Sequence, residues 1–363
     1  MIIRSWKDGR WPVSYAEAPH VVTWEITRAC QLHCRHCRAS AIRHRNPEEL
    51  RFEESLSVLD DLVQGFHRPP ILVLTGGDPL ERPDLDDLIR AAVERRLVTA
   101  VAPSVTPRLS EAVVARWADI GVHAVSLSLD GVDAATHDGF RGVRGTFDRT
   151  LQMAAAVRDA GLSLQINSSV ARQTVHQLQA MARLVDDLGV ASWEIFFVIP
   201  TGRARVLDAL DAAGIEEALA WLADYRPSRP FRITAVGAPQ WVRVRHQRTP
   251  AASLPPAAAR EARGFAFIDH RGEVYPSGYL PVTAGNVRER PLSQIYRESV
   301  LFTSLRDPAQ LDDACGACAY AELCGGSRAR AYAMTGNLYA ADPGCVRVGW
   351  PTEGMSPASG LHG

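Results

Sequence analysis

Residues 27–40 have the sequence TRACQLHCRHCRAS, a loop with three cysteines in CxxxCxxC spacing, Cys30, Cys34 and Cys37. The apolar run before it, residues 22–26, predicts a β-strand that ends where this loop begins. Three thiolates on one short loop are typical of metal or iron–sulfur ligation. They could ligate three irons of a 4Fe–4S cube and leave the fourth iron open for a non-protein ligand. The alternative is a zinc ion with one histidine as its fourth ligand, His33, His36 or His44.

Short apolar runs alternate with longer helical segments through the first two thirds of the chain. The predicted strands are residues 22–26, 71–75, 98–102, 123–129, 163–168 and 193–198, with 231–236 closing or edging the sheet. The predicted helices are residues 52–63, 85–93, 151–157 and 175–188, where apolar side chains recur every three or four positions. Such alternation indicates a parallel sheet. The expected fold class is α/β, an incomplete (β/α)6 TIM-like barrel that binds ligands at the C-terminal ends of its strands.

The composition narrows the class of protein. Forty basic and 41 acidic residues give a net charge of −1, without the excess of cations that binding to nucleic acid or an anionic membrane requires. No apolar run approaches the roughly 20 residues of a membrane span, and the polar N-terminus is not a signal peptide. Seven cysteines, an odd number, argue against a disulfide framework. We therefore expect a cytoplasmic protein whose partner is a small molecule, with neither nucleic acid nor membrane involved.

Five segments are expected along the 363 residues. They are an N-terminal extension (1–20), the barrel (21–236), a linker rich in proline and alanine (237–263), a small cysteine-rich domain (264–350) and a flexible tail (351–363). The small domain begins with a hairpin that turns at Arg271-Gly272 and has a short helix near 292–297. Because it is too small to bury much apolar surface, a bound metal or cluster should supply part of its stability.

A second group of cysteines lies in this small domain, Cys315, Cys318, Cys324 and Cys345. Four thiolates saturate one 4Fe–4S cluster and leave no iron open. A structural zinc ion held by the same four side chains is the alternative. We expect electron transfer or structural support at this site, and not direct ligation of a substrate.

The CxxxCxxC loop after the first predicted strand, followed after the second by Thr75, Gly76, Gly77, Asp78 and Pro79, resembles the radical S-adenosylmethionine (SAM) superfamily. The resemblance implies that Cys30, Cys34 and Cys37 hold a 4Fe–4S cluster whose open iron is chelated by SAM. It implies reductive cleavage of SAM to a 5′-deoxyadenosyl radical, which abstracts a hydrogen atom from the substrate. An electron donor such as flavodoxin or ferredoxin is then expected as a partner.

The same resemblance assigns contacts with SAM to further residues. The GGDP turn at 76–79 would receive the ammonium group of SAM, with an ordinary strand–helix turn as the alternative. Positions on later strands are expected to contact the ribose, carboxylate or adenosine of SAM: Ser126, Ser128, Asp130, Asn167, Ser168 and Ile199. Plain strand alternation would also explain the serines. Arg172 is a weaker candidate for the SAM carboxylate. The role of residues 103–107 stays open, because many relatives have Thr-Asn-Gly there.

The C-terminal cysteines resemble the SPASM and twitch auxiliary-cluster domains of radical SAM enzymes, which implies a second 4Fe–4S cluster. IPTGR at 199–203 and CGGSRARAYA at 324–333 resemble the haem-biosynthesis branch, the porphyrin propionate decarboxylases and haem d1 enzymes, and more broadly a nucleoside-sugar decarboxylase. We therefore expect hydrogen abstraction from a carboxylated porphyrin- or nucleoside-type molecule. Decarboxylation or side-chain loss would follow, with the surplus electron passed to the C-terminal cluster. Arg203 or Arg205 would hold the carboxylate, unless both are ordinary surface charges.

Two other functions are weighed against this one. A SPASM-type peptide maturase is disfavoured, because residues 1–20 leave little room for a fused leader-binding domain. A non-catalytic iron–sulfur redox carrier is disfavoured, because it needs neither the GGDP turn nor the SLSLD run at 126–130. No acid–base role is assigned, although five side chains are candidates for the cavity: Tyr275, Tyr279, His176, Glu194 and Trp193.

Overall fold

A ten-stranded sheet is the framework of the residues that this computed structural model describes, 14–248 and 260–348. Its strands are β1 Val21–Glu25, β2 Ile71–Thr75, β3 Thr99–Val101, β4 Ala124–Ser128, β5 Ser163–Val170, β6 Ser192–Phe197, β7 Arg232–Val236, β8 Phe265–Ile268, β9 Glu273–Tyr275 and β10 Gly285–Asn286. Outside the described residues lie the predicted tail and parts of the predicted N-terminal extension, linker and C-terminal domain.

Strands β1 to β7 lie side by side in chain order, and each pairs in parallel with the next. Their C-terminal ends therefore meet at one rim. The α/β partial barrel predicted from the alternating pattern is confirmed, with β7 as its last strand and one edge of the sheet.

The C-terminal segment joins the same sheet from the other side. Strand β8 pairs in parallel with β1, so that Phe265 lies opposite Val21, and β9 pairs antiparallel with β8. The predicted hairpin around Gly272 is confirmed by this antiparallel pairing, and the left-handed φ of +88° at Gly272 is one that glycine adopts readily. A domain boundary at residue 264 stays a prediction.

Twelve α-helices are found in the described residues: α1 Phe52–Gln64, α2 Leu85–Glu94, α3 Glu111–Ile120, α4 Ala134–Arg141, α5 Thr146–Asp159, α6 Leu178–Asp187, α7 Ala212–Asp224, α8 Trp241–Arg248, α9 Leu292–Glu298, α10 Val300–Arg306, α11 Asp313–Gly316 and α12 Arg328–Thr335. Polar caps fix several starts, since Ser110, Asp133 and Asp211 each accept a hydrogen bond from the first turn of the helix that follows. None of these helices is long and apolar enough to span a membrane.

The main core lies between the outer face of the sheet and the helices. Trp24 of β1, Trp193 of β6 and Trp117 of α3 are fully buried there. Burial of one such large side chain stabilises the fold by about 1.5–3 kcal/mol. Because strand residues alternate between two faces, the neighbours of these outward side chains point into the barrel.

Helix α8 corrects the sequence analysis, which placed a linker over residues 237–263. Val242 and Val244 of this helix are buried, and Arg243 forms an ion pair with Glu216 of α7. The sequence WVRVRHQR lacks helical periodicity, so contacts with α7 supply stabilisation that the local pattern does not predict.

Candidate active site

A cavity of about 2210 Å³ opens at the C-terminal ends of the strands and continues into the barrel. Strand alternation directs small polar side chains into it from β4 and β5, while their neighbours pack outward. Many of the predicted site residues line this one cavity: Cys30, Cys34, Cys37, Gly76, Gly77, Ser126, Ser128, Asn167, Ile199 and Arg203. The structure therefore brings the three cysteines and most of the expected SAM contacts together.

The cysteine loop is held by backbone hydrogen bonds on two sides. The amides of His33 and Arg35 donate to the last carbonyls of α4, at Arg141 (3.2 Å) and Phe140 (3.1 Å). The amide of Arg203 donates to the carbonyl of Cys37 at 3.0 Å. The loop after β6 and the end of α4 therefore fix the loop that carries the thiols.

The three thiols fit a cluster that leaves one iron open. All are free, and burial raises the pKa of Cys30 to about 11 and also raises that of Cys34. Such thiols lose their protons when a cation binds to them. Arg141 lies 3.8 Å from the sulfur of Cys34, where its charge favours the thiolate. Among the described residues, no group of three His, Cys, Asp or Glu side chains is arranged around a single metal position.

The GGDP turn is packed directly against the cysteine loop. The amide of Gly77 donates to the carbonyl of Thr27 at 2.8 Å, and that of Asp78 donates to Ala29 at 2.7 Å. A Cβ atom on Gly77 would lie 2.4 Å from the carbonyl oxygen of Ala29. Only glycine therefore allows the two loops to approach this closely.

A Gly77→Ala variant is expected to bind SAM about five- to 150-fold more weakly, because overpacking against backbone typically costs about 1–3 kcal/mol. Equilibrium dialysis of SAM against the cluster-loaded protein measures this. Gly139→Ala is the matched control, since a Cβ there meets nothing within 4 Å, and helical Ala is as good as or better than Gly. Equal affinity in both variants would contradict the role of this close approach.

Asp78 does not reach the cavity, which corrects its assignment as a direct SAM contact. Its buried carboxylate accepts hydrogen bonds from the hydroxyl of Thr106 (2.8 Å) and from the amides of Ser104 (3.3 Å) and Leu80 (3.2 Å). Pro79 is also buried, at the start of the turn that follows. Asp78 therefore positions the loop after β3.

Ser104 belongs to this loop, residues 103–107, whose role the sequence left open. It lines the cavity, donates to the carbonyl of Gly77 at 2.7 Å, and lies 3.5 Å from the sulfur of Cys30. The loop differs from the Thr-Asn-Gly of many relatives, so no motif pointed to this serine.

Asp78 is also expected to make stability depend on pH. Burial raises its pKa to about 6, above the value of about 3.9 for an unfolded chain, and the Thr106 hydroxyl only partly opposes this. The folded state then binds more protons, so stability falls as the pH rises through this window.

The free energy of unfolding is measured by denaturant titration of wild type and Asp78→Asn without SAM. As the pH rises from 5 to 7.5, that of wild type should fall by about 1 kcal/mol relative to that of the variant. The control is Asp133→Asn, because the amide of Thr136 lowers the pKa of Asp133 and keeps it ionised throughout. If the difference in unfolding free energy between wild type and Asp78→Asn stays constant with pH, this account of Asp78 is wrong.

The fourth strand divides its predicted residues between two environments. Ser126 and Ser128 line the cavity, whereas Asp130 is buried in an ion pair with Arg141 and does not line it. Arg141, which the sequence analysis did not name, does line the cavity. Its guanidinium has the shape and charge that bind a carboxylate in a bidentate manner. Arg172, the earlier candidate, bonds instead to the carbonyl of Ala209 and lies outside the cavity.

The fifth and sixth strands show the same division. Asn167 faces the cavity, but Ser168 is on the opposite face, where its hydroxyl accepts a hydrogen bond of 2.9 Å from the indole of Trp193. Adjacent strand residues cannot share a face, so Ser169 takes the inward position. Of the candidate cavity residues, Glu194 and Tyr279 line the cavity, whereas Trp193, Tyr275 and His176 do not.

The two predicted substrate arginines lie in different places. Arg203 donates to the carbonyls of Cys34 (3.0 Å) and Ala41 (3.2 Å), and its buried Nη2 has no hydrogen-bond partner in the described residues. The side chain of Arg205 is 65% exposed and pairs with Asp208 at 3.5 Å, outside the cavity. Arg203 therefore supports the cysteine loop.

The four C-terminal cysteines line one small pocket, so the structure brings the residues of the second predicted site together. The sulfur of Cys315 accepts from the amide of Asp342 at 3.4 Å, and that of Cys324 from the amide of Gly326 at 3.5 Å. Arg347 lies 3.7 Å from the sulfur of Cys318. Donors directed at sulfur stabilise thiolates, which suits a metal or cluster at this position.

Comparison with known proteins identifies the family. The chain is 37% identical over 341 residues to the AdoMet-dependent heme synthase of Nitratidesulfovibrio vulgaris. The alignment covers 90% of this chain and 91% of the relative. It belongs to the radical SAM superfamily. The sequence pattern of that superfamily matches residues 24–185, from the end of β1 through the cysteine loop and β2 to β5. Radical SAM enzymes use SAM and a 4Fe–4S cluster, so the first predicted cofactor pair follows from this membership.

Two further comparisons place this radical SAM enzyme. It is 30% identical over 355 residues to the pre-heme d1 synthase of Dinoroseobacter shibae, covering 90% of this chain and 85% of that one. The predicted haem-biosynthesis branch is therefore confirmed. The structure of Streptococcus suis SuiB bound to precursor peptide SuiA superposes with a TM-score of 0.73, at 17% identity, over 91% of this chain and 76% of SuiB. At that identity, the likeness concerns the fold alone.

Proposed function

We propose that this radical SAM enzyme removes carbon dioxide from propionate side chains of an iron porphyrin in haem biosynthesis. The size of the cavity is the observation that carries this proposal, beside the kinship with heme synthases. About 2210 Å³ is more than twice the roughly 1,000 Å³ of a large small-molecule site. SAM therefore leaves room for a second, larger molecule.

The proposed reaction converts a propionate into a vinyl group. One hydrogen atom leaves the carbon next to the porphyrin ring, the bond to the carboxylate breaks, and carbon dioxide and one electron depart. When bound, the reduced 4Fe–4S cluster and SAM supply the radical that takes this hydrogen atom, and a second cluster at the C-terminal cysteines would accept the electron. Atoms and charge then balance without water.

The chain itself binds and orients the substrate in this proposal. Arg203 and Arg141 both line the cavity, where Arg203 would attract a carboxylate of the substrate and Arg141 that of SAM. Aromatic side chains on the wall of the cavity keep water from the reacting carbon: Phe196, Phe231, Phe265, Phe267 and Trp241.

The proposal also covers the cofactor at the C-terminal cysteines and the cellular compartment of the enzyme. Four free cysteines around one pocket support a SPASM- or twitch-like auxiliary 4Fe–4S cluster, with zinc as the outcome to be tested. Seven free thiols suit a reducing cytoplasm, where a flavodoxin or ferredoxin would supply electrons.

Anaerobic incubation of the cluster-loaded protein with SAM, a reductant and iron coproporphyrin III tests the proposed function. We expect mass spectrometry to show loss of carbon dioxide from propionates and one 5′-deoxyadenosine for each carboxylate lost. A carboxylated nucleoside sugar is the comparison substrate. Release of 5′-deoxyadenosine without carbon loss from any carboxylated porphyrin would overturn the proposal.

A further inference from the structure

Helix α8, in the stretch that the sequence assigned to a linker, carries three arginines with unequal surroundings. Arg243 forms an ion pair with Glu216 of α7, and Arg248 forms one with Asp224 of the same helix. Arg245 has no carboxylate partner among the described residues, and its side chain lines the main cavity. The two outer arginines therefore fasten α8 to α7, and the middle one is available to a ligand.

Arg245 is exposed and has an aromatic neighbour at the edge of the cavity. Its guanidinium carbon lies 5.6 Å from the centroid of the Trp241 ring, one helical turn earlier on the same face. Trp241 also lines the cavity, so the guanidinium lies within cation–π distance of an indole at the cavity wall. This cation–π contact restrains the side chain but leaves the N–H edge of the guanidinium unpaired.

The position of this pair in the fold suits a large substrate. Helix α8 follows β7 after four residues, at the edge where the sheet has no further strand. The cysteine loop and the GGDP turn enter the same cavity from β1 and β2, on other strands of the barrel. A ligand that contacts both the cysteine loop and α8 must touch the cavity wall at β1 and again beyond β7.

The geometry points to Arg245 as a residue that determines specificity for a carboxylate of the substrate, with Trp241 as its platform. This inference rests on the proposed function, in which the substrate is a porphyrin with several propionates. One propionate reacts near the cysteine loop. Another, on the far side of the macrocycle, binds to Arg245 through two N–H···O bonds.

Optical titration of the full-length, cluster-loaded chain with iron coproporphyrin III, without reductant, tests this inference. We expect Arg245→Ala to weaken binding at least about tenfold, as for loss of a charge-assisted hydrogen bond. Arg248→Ala is the matched control, because it removes the same charge from the same helix at a residue outside the cavity; it should change affinity less than about twofold. Arg245→Lys should restore only part of the affinity.

The tetramethyl ester of the same porphyrin separates carboxylate recognition from general packing. Its affinity should be the same for wild type and Arg245→Ala, since the ester offers no anion. Equal weakening by Arg245→Ala and Arg248→Ala, or an unchanged Arg245→Ala, would overturn the role of Arg245 alone. Wild type that cleaves SAM but binds no porphyrin would overturn the proposed function as well.

Discussion

Replacement of Cys30, Cys34 and Cys37 together by alanine is expected to abolish the release of 5′-deoxyadenosine from SAM. The three thiols line the cavity beside the GGDP turn, and a cluster with one open iron needs all three of them as ligands. Wild type should contain about eight irons and the variant about four, because the C-terminal four-cysteine site stays intact. Iron and sulfide counts on anaerobically purified protein, beside chromatography of the nucleoside product, measure both effects.

A variant of the other cysteine group is the control for this experiment. Cys315→Ala with Cys345→Ala removes two thiols of the second pocket and leaves the first site untouched. It should also contain about four irons but still release 5′-deoxyadenosine. About four irons in wild type, together with zinc, would assign zinc to the second pocket. Release of 5′-deoxyadenosine by the triple variant would contradict the assignment of the first site.

The fold could be predicted where its signal is local. Alternation of apolar runs and helical segments indicated the parallel barrel, and the strands from β1 to β7 follow that order. The pairing of β8 with β1 joins residues more than 200 positions apart in the sequence, and no local pattern specifies such a partner. Helix α8 was missed because its stability depends on α7 and not on its own periodicity.

The sequence predicted the location of the site more accurately than the individual residues that line it. Motifs marked the correct loops, but which side of a strand or turn a side chain faces depends on tertiary structure. Ser168 and Asn167 are adjacent, and only Asn167 faces the cavity. Asp78 and Asp130 lie beside the cavity without lining it. Asp78 accepts a hydrogen bond from Thr106, and Asp130 forms an ion pair with Arg141. Both act through residues that the motifs did not name.

A buried ion pair lies next to the second cysteine site, and we expect its removal to lower the free energy of unfolding strongly. Arg330 of α12 and Asp342 lie 3.1 Å apart, and neither side chain is exposed. Asp342 also accepts hydrogen bonds from the amides of Ser327 (2.7 Å) and Gly344 (2.9 Å). Its amide donates to the sulfur of Cys315. The pair therefore connects α12 to the segment that carries the fourth cysteine.

Asp342→Ala is expected to lower the free energy of unfolding by about 3–5 kcal/mol, because it leaves Arg330 as an uncompensated buried cation. Thermal and denaturant unfolding of the cluster-loaded chain measure the loss, and iron content reports on the pocket. Asp224→Ala is the control, since it breaks an exposed arginine pair worth at most about 1 kcal/mol. Replacement of both partners, Arg330→Met with Asp342→Leu, should recover only part of the loss, because the amides of Ser327 and Gly344 then lack an acceptor.

The same pair fixes how stability responds to acid. Burial alone would raise the pKa of Asp342, but the charge of Arg330 and the two amides outweigh it, so the pKa is lowered in the folded chain. The stabilisation is therefore complete above the unfolded value of about 3.9 and is lost as the pH falls below it. Wild type and Asp342→Ala should thus differ most in unfolding free energy near neutral pH and converge in acid. A loss in Asp342→Ala no larger than that in Asp224→Ala would show that the buried pair does not hold the C-terminal segment in place.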